Sequence, residues 1–330
     1  MMRKGDFGEK IGQSRDRNCF ISNNVGIIVV FLALFLAISV LSPAFLTQAN
    51  IMTVLRQIAT NMFLSIGMTF VIILGGIDLS GGAIIAMVGV VTVGLSVNGA
   101  VPIPAAILIG MCVGVLVGFI NGYIISRLRV PAFIVTLAMM NVCRGGAYIY
   151  TGGKSIRVLD DRFVKIGTGY LFGYIPLPVI YTIVAVAVAV ILLNRTKFGT
   201  YVYAIGGNRE AAKLSGVPIK KVETMVFMIS GFLTAFAGIV LAARMYSAQP
   251  SVGDGYEMDA VAACVLGGIS MSGGKGQIGG TVLGVLVIGI ISNGLNLLGV
   301  NSYWQLVVKG IIVLLAIYID SLKNHREQKE

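Results

Sequence analysis

Charged residues are scarce in this sequence. Only 12% of its 330 residues are Asp, Glu, Lys or Arg, whereas 56% are hydrophobic. A water-soluble domain has about 25% charged residues, so a chain with half that density has too little polar surface to cover a soluble globule. The composition therefore excludes an ordinary soluble enzyme and predicts an integral membrane protein, with the lipid bilayer around most of its surface.

Histidine and paired cysteines are scarce as well. The one histidine, His325, lies in the polar C-terminal tail, and the four cysteines contain no CxxC pair. This pattern lacks the usual ligand sets for zinc and the spacing of a disulfide framework. We therefore expect no metal site in this chain, and we expect its cysteines to pack as small apolar side chains.

The sequence also lacks a nucleotide-binding loop. Residues 273–276 read GGKG, but a P-loop requires GxxxxGK followed by Ser or Thr, and here Gly276 follows Lys275. We expect no cofactor to be bound by this chain, so the energy for any active process must come from another chain. The net charge of +11 does not indicate nucleic acid, because the basic residues cluster in short polar gaps between apolar runs.

The apolar residues that are present form ten segments. A bilayer core about 30 Å thick requires about 20 apolar helical residues, and somewhat shorter runs are tolerated. The third and eighth segments are short, which indicates broken or re-entrant elements. The sequence predicts an all-α fold, a polytopic membrane helix bundle of about ten transmembrane helices, with segments at 25–41, 51–74, 83–97, 104–126, 132–150, 177–193, 224–243, 258–271, 277–298 and 304–319.

The distribution of basic residues predicts the orientation. If the N-terminus is inside and the segments alternate, most Lys and Arg fall in the inside gaps, including the large loop 194–222, as the positive-inside rule expects. We therefore predict a cytoplasmic tail at 1–24, a transmembrane domain at 25–319 that includes the cytoplasmic loop 194–222, and a cytoplasmic tail at 320–330. Both termini are expected in the cytoplasm.

One glycine-rich octapeptide occurs twice. Residues 75–82 read GGIDLSGG and residues 267–274 read GGISMSGG, each directly after an apolar run. Transporters often contain internal repeats, so the pair is compatible with an old duplication. Coincidence between two glycine-rich turns explains it equally well. Pairs of glycines four residues apart, such as Gly114 with Gly118 and Gly280 with Gly284, predict close helix packing.

The loop that begins at Gly206 reads GGNREAAKLSGVPIKKVE. Asn208 is a favourable N-cap, and Glu210 then lies near the positive end of the helix dipole. Gly216 and Pro218 end the helix. The sequence predicts a short, rigid cytoplasmic helix, and such a helix suits a surface that docks a partner. An ordinary amphipathic loop helix is the alternative.

The motif Glu210-Ala211-Ala212, three residues, then Gly216 resembles the EAA-x-x-x-G loop of ABC importer permeases. The segments 75–82, 198–217, 256–284 and 293–310 resemble the ribose/galactose-type monosaccharide permease family, and the similarity covers about 25–319. The resemblance implies a bacterial inner-membrane permease that pairs with a second permease copy, an ATP-binding cassette subunit that uses the ATP, and a periplasmic sugar-binding protein. It implies an ATPase-coupling loop formed by Gly207, Asn208, Glu210, Ala211, Ala212, Ser215 and Gly216, and a ribose- or allose-like sugar as substrate.

Polar residues inside apolar segments are candidates for the translocation pathway, because polar groups in lipid are energetically costly. Hydrogen bonding between helices is the alternative role for each of them. Two aromatic residues join the set because sugars also present an apolar face. The candidates are Thr60, Asn61, Asp78, Ser80, Asn121, Phe133, Thr136, Asn141, Asp259, Asn293, Asn296 and Trp304.

Two other functions compete with ATP-driven import. In an ion-coupled secondary sugar transporter, Asp78, Glu257 and Asp259 would be the coupling carboxylates. A membrane scaffold without transport is the second alternative. The loop 194–222, with its predicted short cytoplasmic helix, favours the importer over both; we call it the docking loop. For Asp78 itself, a structural role as acceptor for the backbone amides around residues 80–82 competes with a role in proton coupling.

Overall fold

The computed structural model describes residues 17–97 and 101–327. These residues form thirteen α-helices and four two-residue strands. The helices are α1 Arg17–Leu41, α2 Gln48–Ile73, α3 Gly81–Val97, α4 Ile103–Leu128, α5 Ala132–Thr151, α6 Asp161–Thr168, α7 Leu177–Arg195, α8 Lys197–Gly207, α9 Arg209–Leu214, α10 Ile219–Arg244, α11 Tyr256–Leu266, α12 Ile278–Leu297 and α13 Ser302–Glu327. The strands are β1 Ile156–Arg157, β2 Tyr170–Leu171, β3 Ile175–Pro176 and β4 Ser247–Ala248.

The predicted all-α membrane bundle is confirmed, but the predicted count of about ten spanning helices is not. Each predicted apolar segment coincides with a helix, yet within the described residues only six helices are long and apolar enough to cross a membrane: α2, α4, α5, α7, α10 and α12. The apolar part of α1 and the whole of α3 are shorter. Helix α11 has 11 residues, which at about 1.5 Å per residue covers about half of the bilayer core. It stops early because the glycine-rich repeat begins at Gly267.

Helix α2 is at the centre of the bundle. In its most apolar stretch 83% of the residues are buried, compared with 67% in α10 and 17% in α7. The main apolar core is built on α2, α10 and α11, and its largest fully buried side chains include Phe63, Phe70 and Phe227. The outer helices α4, α5 and α7 leave most of their apolar side chains on the surface, as expected for contact with lipid.

Glycines determine how closely α4 approaches α10. Gly114, Gly118 and Gly122 repeat every four residues on the face of α4 that meets α10, whereas Gly110, one turn earlier, faces Thr92 of α3. A Cβ atom added at Gly114 would lie 2.7 Å from the backbone oxygen of Gly231, and one at Gly122 would lie 2.7 Å from the Cα of Thr224. The backbones are therefore in direct contact, as predicted for small residues at this spacing. Gly280 and Gly284 likewise face the backbone carbonyls of Gly267 and Ala263.

Two short β ribbons lie at the end of the bundle opposite α9. Strand β1 pairs with β4, and β2 pairs with β3. Between them, α6 begins at its N-cap Asp160, whose carboxylate accepts a hydrogen bond from the amide of Arg162 at 2.8 Å. The hairpin of β2 and β3 presents Phe172 and Tyr174, which are 84% and 74% exposed.

Candidate functional site

Helix α9 begins and ends as its sequence predicts. The Asn208 side chain accepts a hydrogen bond from the amide of Ala211 at 2.9 Å, which confirms the predicted N-cap. The helix stops at Leu214, and Gly216 adopts a left-handed conformation with φ of +79°. The amide of Gly216 donates to the carbonyl of Lys213 at 3.1 Å, which closes the last turn.

The outer face of α9 is free to meet another protein. Ala212 is buried against the bundle, whereas Gly207, Asn208, Glu210, Ala211, Ser215 and Gly216 are exposed. Leu214 is 88% exposed, and no atom lies within 4 Å of the position where a Gly216 side chain would begin. Sequence reasoning did not select Leu214, although an apolar side chain opposite the buried Ala212 on so short a helix is a usable signal. An exposed leucine beside an open glycine suits a partner's apolar groove.

An ion pair connects α9 to the membrane part of the chain. The guanidinium group of Arg209 donates to the carboxylate of Glu223, which is 2% exposed on the first turns of α10. Neither residue was predicted to be functional. An acid at the start of an apolar span, with a basic residue in the preceding loop, was the available signal. The pair therefore adds a charge-assisted contact between α9 and the membrane helix α10.

The two copies of the repeated octapeptide meet at the base of this loop. The amide of Gly274 donates to the carbonyl of Ile73 at the end of α2, at 2.8 Å. A Cβ atom at Gly273 would lie 2.9 Å from the Gly206 oxygen and 3.1 Å from the Gly75 Cα atom. Three glycine-rich segments, at the ends of α2, α8 and α11, therefore pack backbone to backbone. Helix α8 itself, inside the predicted loop, was not predicted.

Asp78 organises the break between α2 and α3. One of its carboxylate oxygens accepts hydrogen bonds from the Ser80 amide at 3.0 Å and the Ser80 hydroxyl at 2.6 Å. The other accepts from the Ser230 hydroxyl of α10 at 3.0 Å. The side-chain amide of Asn121 donates to the Ser80 hydroxyl at 3.1 Å. Sequence reasoning missed Ser230, because a serine in an apolar helix has no pattern that identifies its partner.

Thr136 completes this buried cluster from α5. Its hydroxyl accepts a hydrogen bond from the amide of Leu79 at 3.1 Å and lies 3.2 Å from the carbonyl oxygen of Ile77. Four of the predicted pathway residues, Asp78, Ser80, Asn121 and Thr136, thus surround one stretch of non-helical backbone, and all four are buried. Asp78 and Thr136 satisfy backbone groups that have no helical partner, as irregular backbone inside a membrane protein requires, and Asn121 holds the Ser80 side chain beside them.

A second irregular segment, residues 249–255 before α11, packs against the start of α3. The Arg144 guanidinium donates to the carbonyls of Pro250 and Val252 at 2.7 and 2.6 Å. A Cβ atom at Gly253 would lie 2.6 Å from the Gly82 oxygen. The beginning of α3 and the segment before α11 are therefore in backbone contact inside the bundle, which is the arrangement of discontinuous helices in transporters.

The remaining predicted pathway residues lie elsewhere. Some connect helices: Asp259 pairs with Lys309 of α13 at 2.7 Å, and Asn293 exchanges two hydrogen bonds with Asn50 of α2. Thr60 and Asn61 are buried on α2, where the Thr60 hydroxyl bonds to its own helix. Four candidates are on the surface of the chain, namely Phe133, Asn141, Asn296 and Trp304.

Known proteins resemble this chain over most of its length. Residues 50–317 match the protein family described as the permease component of branched-chain amino acid transport systems. The ribose import permease protein RbsC of Bacillus subtilis is 47% identical over 299 residues, which cover 89% of this chain and 92% of that protein. RbsC of Escherichia coli K12 is 42% identical, over 90% of this chain and 93% of that protein.

The L-arabinose transport system permease protein AraH of Escherichia coli K12 is 39% identical, with 92% of each chain covered. No solved structure matches the chain. The chain belongs to this permease family, which confirms the resemblance identified in the sequence. It is a multi-pass membrane protein of the transport-permease class rather than an ion-coupled carrier.

Proposed function

We propose that this member of the permease family is the membrane subunit of an ATP-driven importer for a ribose-like monosaccharide. The observation that supports this most directly is α9, an exposed helix. Backbone contacts at its base join it to the two broken helices of the bundle, namely α2–α3, interrupted at Asp78, and α11–α12, interrupted by the second glycine repeat. The relatives are named as permeases for ribose and for L-arabinose, so a pentose is the expected class of substrate. An allose-like sugar is the second candidate, from the sequence resemblance.

The proposed orientation places α9 in the cytoplasm of the bacterium, with both termini on the same side of the inner membrane. The loop that carries α8 and α9 is basic, with Arg209, Lys213, Lys220 and Lys221 among its exposed or partly exposed residues. Basic loops remain on the cytoplasmic side during insertion. The β2–β3 hairpin then faces the periplasm. Its exposed Phe172 and Tyr174 are suited to docking a periplasmic sugar-binding protein.

In the proposed mechanism an ATP-binding cassette subunit holds α9 in a groove on its surface. This chain binds no nucleotide and catalyses no reaction itself, and the partner hydrolyses the ATP. When the ATPase subunits close on ATP, α9 moves with them, because Leu214 and the open face at Gly216 are held by the partner. ATP can shift the permease from one conformation to the other only if the ATPase subunits bind ATP more tightly in their closed state than in their open state.

Backbone contacts inside the bundle would transmit this motion. Gly206 and Gly207, directly before α9, pack against Gly274 and against the end of α2. From the end of α2, the break at Asp78 leads into α3. A displacement of α9 is therefore transmitted to both broken helices at once. Because packed backbones have little freedom to deform, we expect the elements to shift as units.

The sugar pathway is proposed to lie between two permease copies. Phe133 and Trp304 are 51% and 65% exposed on the single chain, and Asn141 and Asn296 are exposed beside apolar surface. Amide groups and aromatic faces together suit a monosaccharide. Six of the buried candidates, by contrast, already bond to other parts of the chain, so we assign them to the support of the helix breaks and helix contacts. They are Asp78, Ser80, Asn121, Thr136, Asp259 and Asn293.

Reconstitution tests the proposal. The chain would be inserted into vesicles with its ATP-binding cassette subunit and given a ribose-loaded binding protein on the outside. We expect uptake of labelled ribose that requires ATP inside and persists when an uncoupler abolishes ion gradients. Uptake that stops with the uncoupler but not with ATP depletion would overturn the proposal. Replacing ribose by arabinose or allose then identifies the preferred sugar.

A further inference from the structure

An apolar groove runs along the membrane-facing side of the bundle, between α7 and α10. It has a volume of about 580 Å³ and opens to the side, with aromatic side chains of α2 as its floor. Its walls include Val184, Val188 and Leu192 of α7 and Met225, Met228 and Phe232 of α10. Half of the Val188 side-chain surface and 49% of the Phe232 surface are exposed in the groove. Such a concave apolar surface is suited to a flexible hydrocarbon chain.

Each wall of the groove ends in a basic residue at the same end of the bundle. Val184, Val188 and Leu192 lie on one face of α7, and the next residue on that face is Arg195. On α10, Lys221 precedes Met225 by one helical turn. Both basic side chains are exposed, and within the described residues neither forms an ion pair with an acidic side chain. The groove therefore has an apolar body and a cationic end.

A polar pocket lies next to the α10 end of the groove. Lys221 lines this second pocket of about 440 Å³, and the other charged residues that line it are Arg127, Arg129, Arg209, Glu210, Lys213 and Lys220. This pocket lies at the base of α9, on the side that we assign to the cytoplasm. A ligand with a long apolar part and an anionic head would thus find both of its parts accommodated by neighbouring surfaces.

The length of the groove matches one leaflet of a bilayer. From Tyr181 to Leu192 the α7 wall is about 16 Å long at about 1.5 Å per residue. One leaflet contributes about half of a hydrocarbon core that is about 30 Å thick. A transmembrane helix of a partner would extend over both leaflets and would leave the two cations without a counter-charge. The dimensions and the charges together favour a lipid.

We propose that this groove binds an acyl chain of an anionic phospholipid of the cytoplasmic leaflet, whose phosphate group lies on Arg195 and Lys221. The assignment of the leaflet rests on the orientation given under the proposed function. The binding itself does not, because the groove and its two cations are features of the chain alone. A lipid in this place contacts α10, which carries Glu223 and Ser230, so it would support the helix that connects α9 to the broken region.

Quenching by brominated lipids tests the proposal on the full-length chain in vesicles. Trp304 is the one tryptophan of the sequence, so a Trp304→Phe background is free of other tryptophan signal. Phe232→Trp places a reporter in the groove, and Ile183→Trp places one on α7 at a position that is 62% exposed and outside the groove. Vesicles that mix plain phosphatidylcholine with brominated phosphatidylglycerol or brominated phosphatidylcholine give the relative affinity of the two lipids at each reporter.

We expect the groove reporter to prefer phosphatidylglycerol by about fivefold for each basic residue, and the reporter outside the groove to show little preference. Arg195→Gln or Lys221→Gln alone should each reduce the preference by about fivefold, and the double variant should abolish it. Lys154→Gln with Arg157→Gln removes the same charge from exposed residues at the other end of the bundle and should leave it intact.

Three results would overturn the proposal. The groove reporter could show equal affinity for the two lipids, or its preference could survive the double variant at Arg195 and Lys221. It could also escape quenching by both lipids, which would mean that protein, such as a second copy of this chain, fills the groove. Because the measurement needs neither ATP nor sugar, any of these results would leave the proposed import function to its own test.

Discussion

The carbonyl oxygen of Ile73 accepts a hydrogen bond from the amide of Gly274 at 2.8 Å, which joins the end of one broken helix to the glycine repeat that follows the other. Gly206 packs on this hydrogen bond, since a Cβ atom there would meet both the Ile73 oxygen and the Gly274 nitrogen. The two halves of the repeat and the base of the docking loop thus share one contact. If α9 docks a partner as proposed, this contact is where a force on α9 would enter the bundle.

The contact predicts a sharp difference between two adjacent glycines. Gly206→Ala should strongly reduce uptake and lower the thermal stability of the detergent-purified chain, because the added methyl group meets backbone atoms that cannot give way. Overpacking of this kind costs about 1–3 kcal/mol. Gly207→Ala is the matched control for stability, since no atom lies within 4 Å of its added Cβ. Equal thermal stability of the two variants would show that the close packing at Gly206 is not needed.

The docking role of α9 predicts a loss of coupling without a loss of folding. Glu210→Arg opposes the helix dipole, and Gly216→Asp places a side chain at a left-handed residue that faces open space. Both variants should insert at normal levels and abolish sugar uptake. Leu214→Ser should do the same by removing an apolar contact. Co-purification of the ATP-binding subunit measures the effect, and Lys154→Ser at the opposite end of the bundle is the control. Normal uptake by all three would remove the coupling role.

Local features of α9 were predictable from sequence, whereas its attachment was not. Asn208 caps and Gly216 ends the helix through interactions with residues three or four positions away, so the pattern contains the necessary information. The contact between Gly274 and Ile73 joins segments that are far apart in the sequence, and no local rule identifies such partners. The octapeptide repeat indicated that the two segments are related, but not that they touch.

The same distinction applies to the membrane helices. The third and eighth segments were predicted to be broken or re-entrant because they are short. The third forms one continuous helix of 17 residues, whereas the helix of the eighth ends at Leu266, directly before the glycine-rich repeat. The sequence shows which polar residues are unusual in apolar helices, but not which of them lie together in the fold. Asp78, Ser80, Asn121 and Thr136 come from three separate parts of the chain and converge only in the folded bundle. Asp259 and Asn293, which look alike in sequence, connect other helices instead.

The proposed orientation predicts opposite accessibility for two exposed serines. Ser155 lies beside β1, and Ser215 ends α9. In a Cys19→Ala and Cys112→Ala background, Ser155→Cys should react with a membrane-impermeant maleimide added to intact spheroplasts. Ser215→Cys should react only after the membrane is opened, because α9 is expected on the cytoplasmic side. Labelling of both positions from one side would contradict the proposed topology.

Substitutions of Asp78 distinguish a structural role of its carboxylate from a role in proton coupling. Its carboxylate accepts three hydrogen bonds, two from Ser80 and one from Ser230, at the point where the backbone is not helical. Asp78→Asn keeps one acceptor oxygen for the Ser80 amide and hydroxyl, and its new NH₂ group can donate to the Ser230 hydroxyl. We expect this variant to retain substantial ATP-driven uptake. Asp78→Leu removes every acceptor and leaves buried donors unsatisfied, at about 1–3 kcal/mol each, so we expect loss of folding or assembly.

Uptake of labelled sugar in energised vesicles, together with the membrane level of each variant, decides between the two roles of Asp78. Ser230→Ala is the matched variant, because it removes one of the three hydrogen bonds and leaves the carboxylate able to titrate. If Asp78 has a structural role, Asp78→Asn and Ser230→Ala should both transport, with moderately reduced stability. If Asp78→Asn reaches the membrane at the normal level yet transports nothing while Ser230→Ala transports normally, the charge of Asp78 itself is required. The structural account of the break would then be wrong, because an uncharged acceptor of the same shape would have supported the backbone equally well.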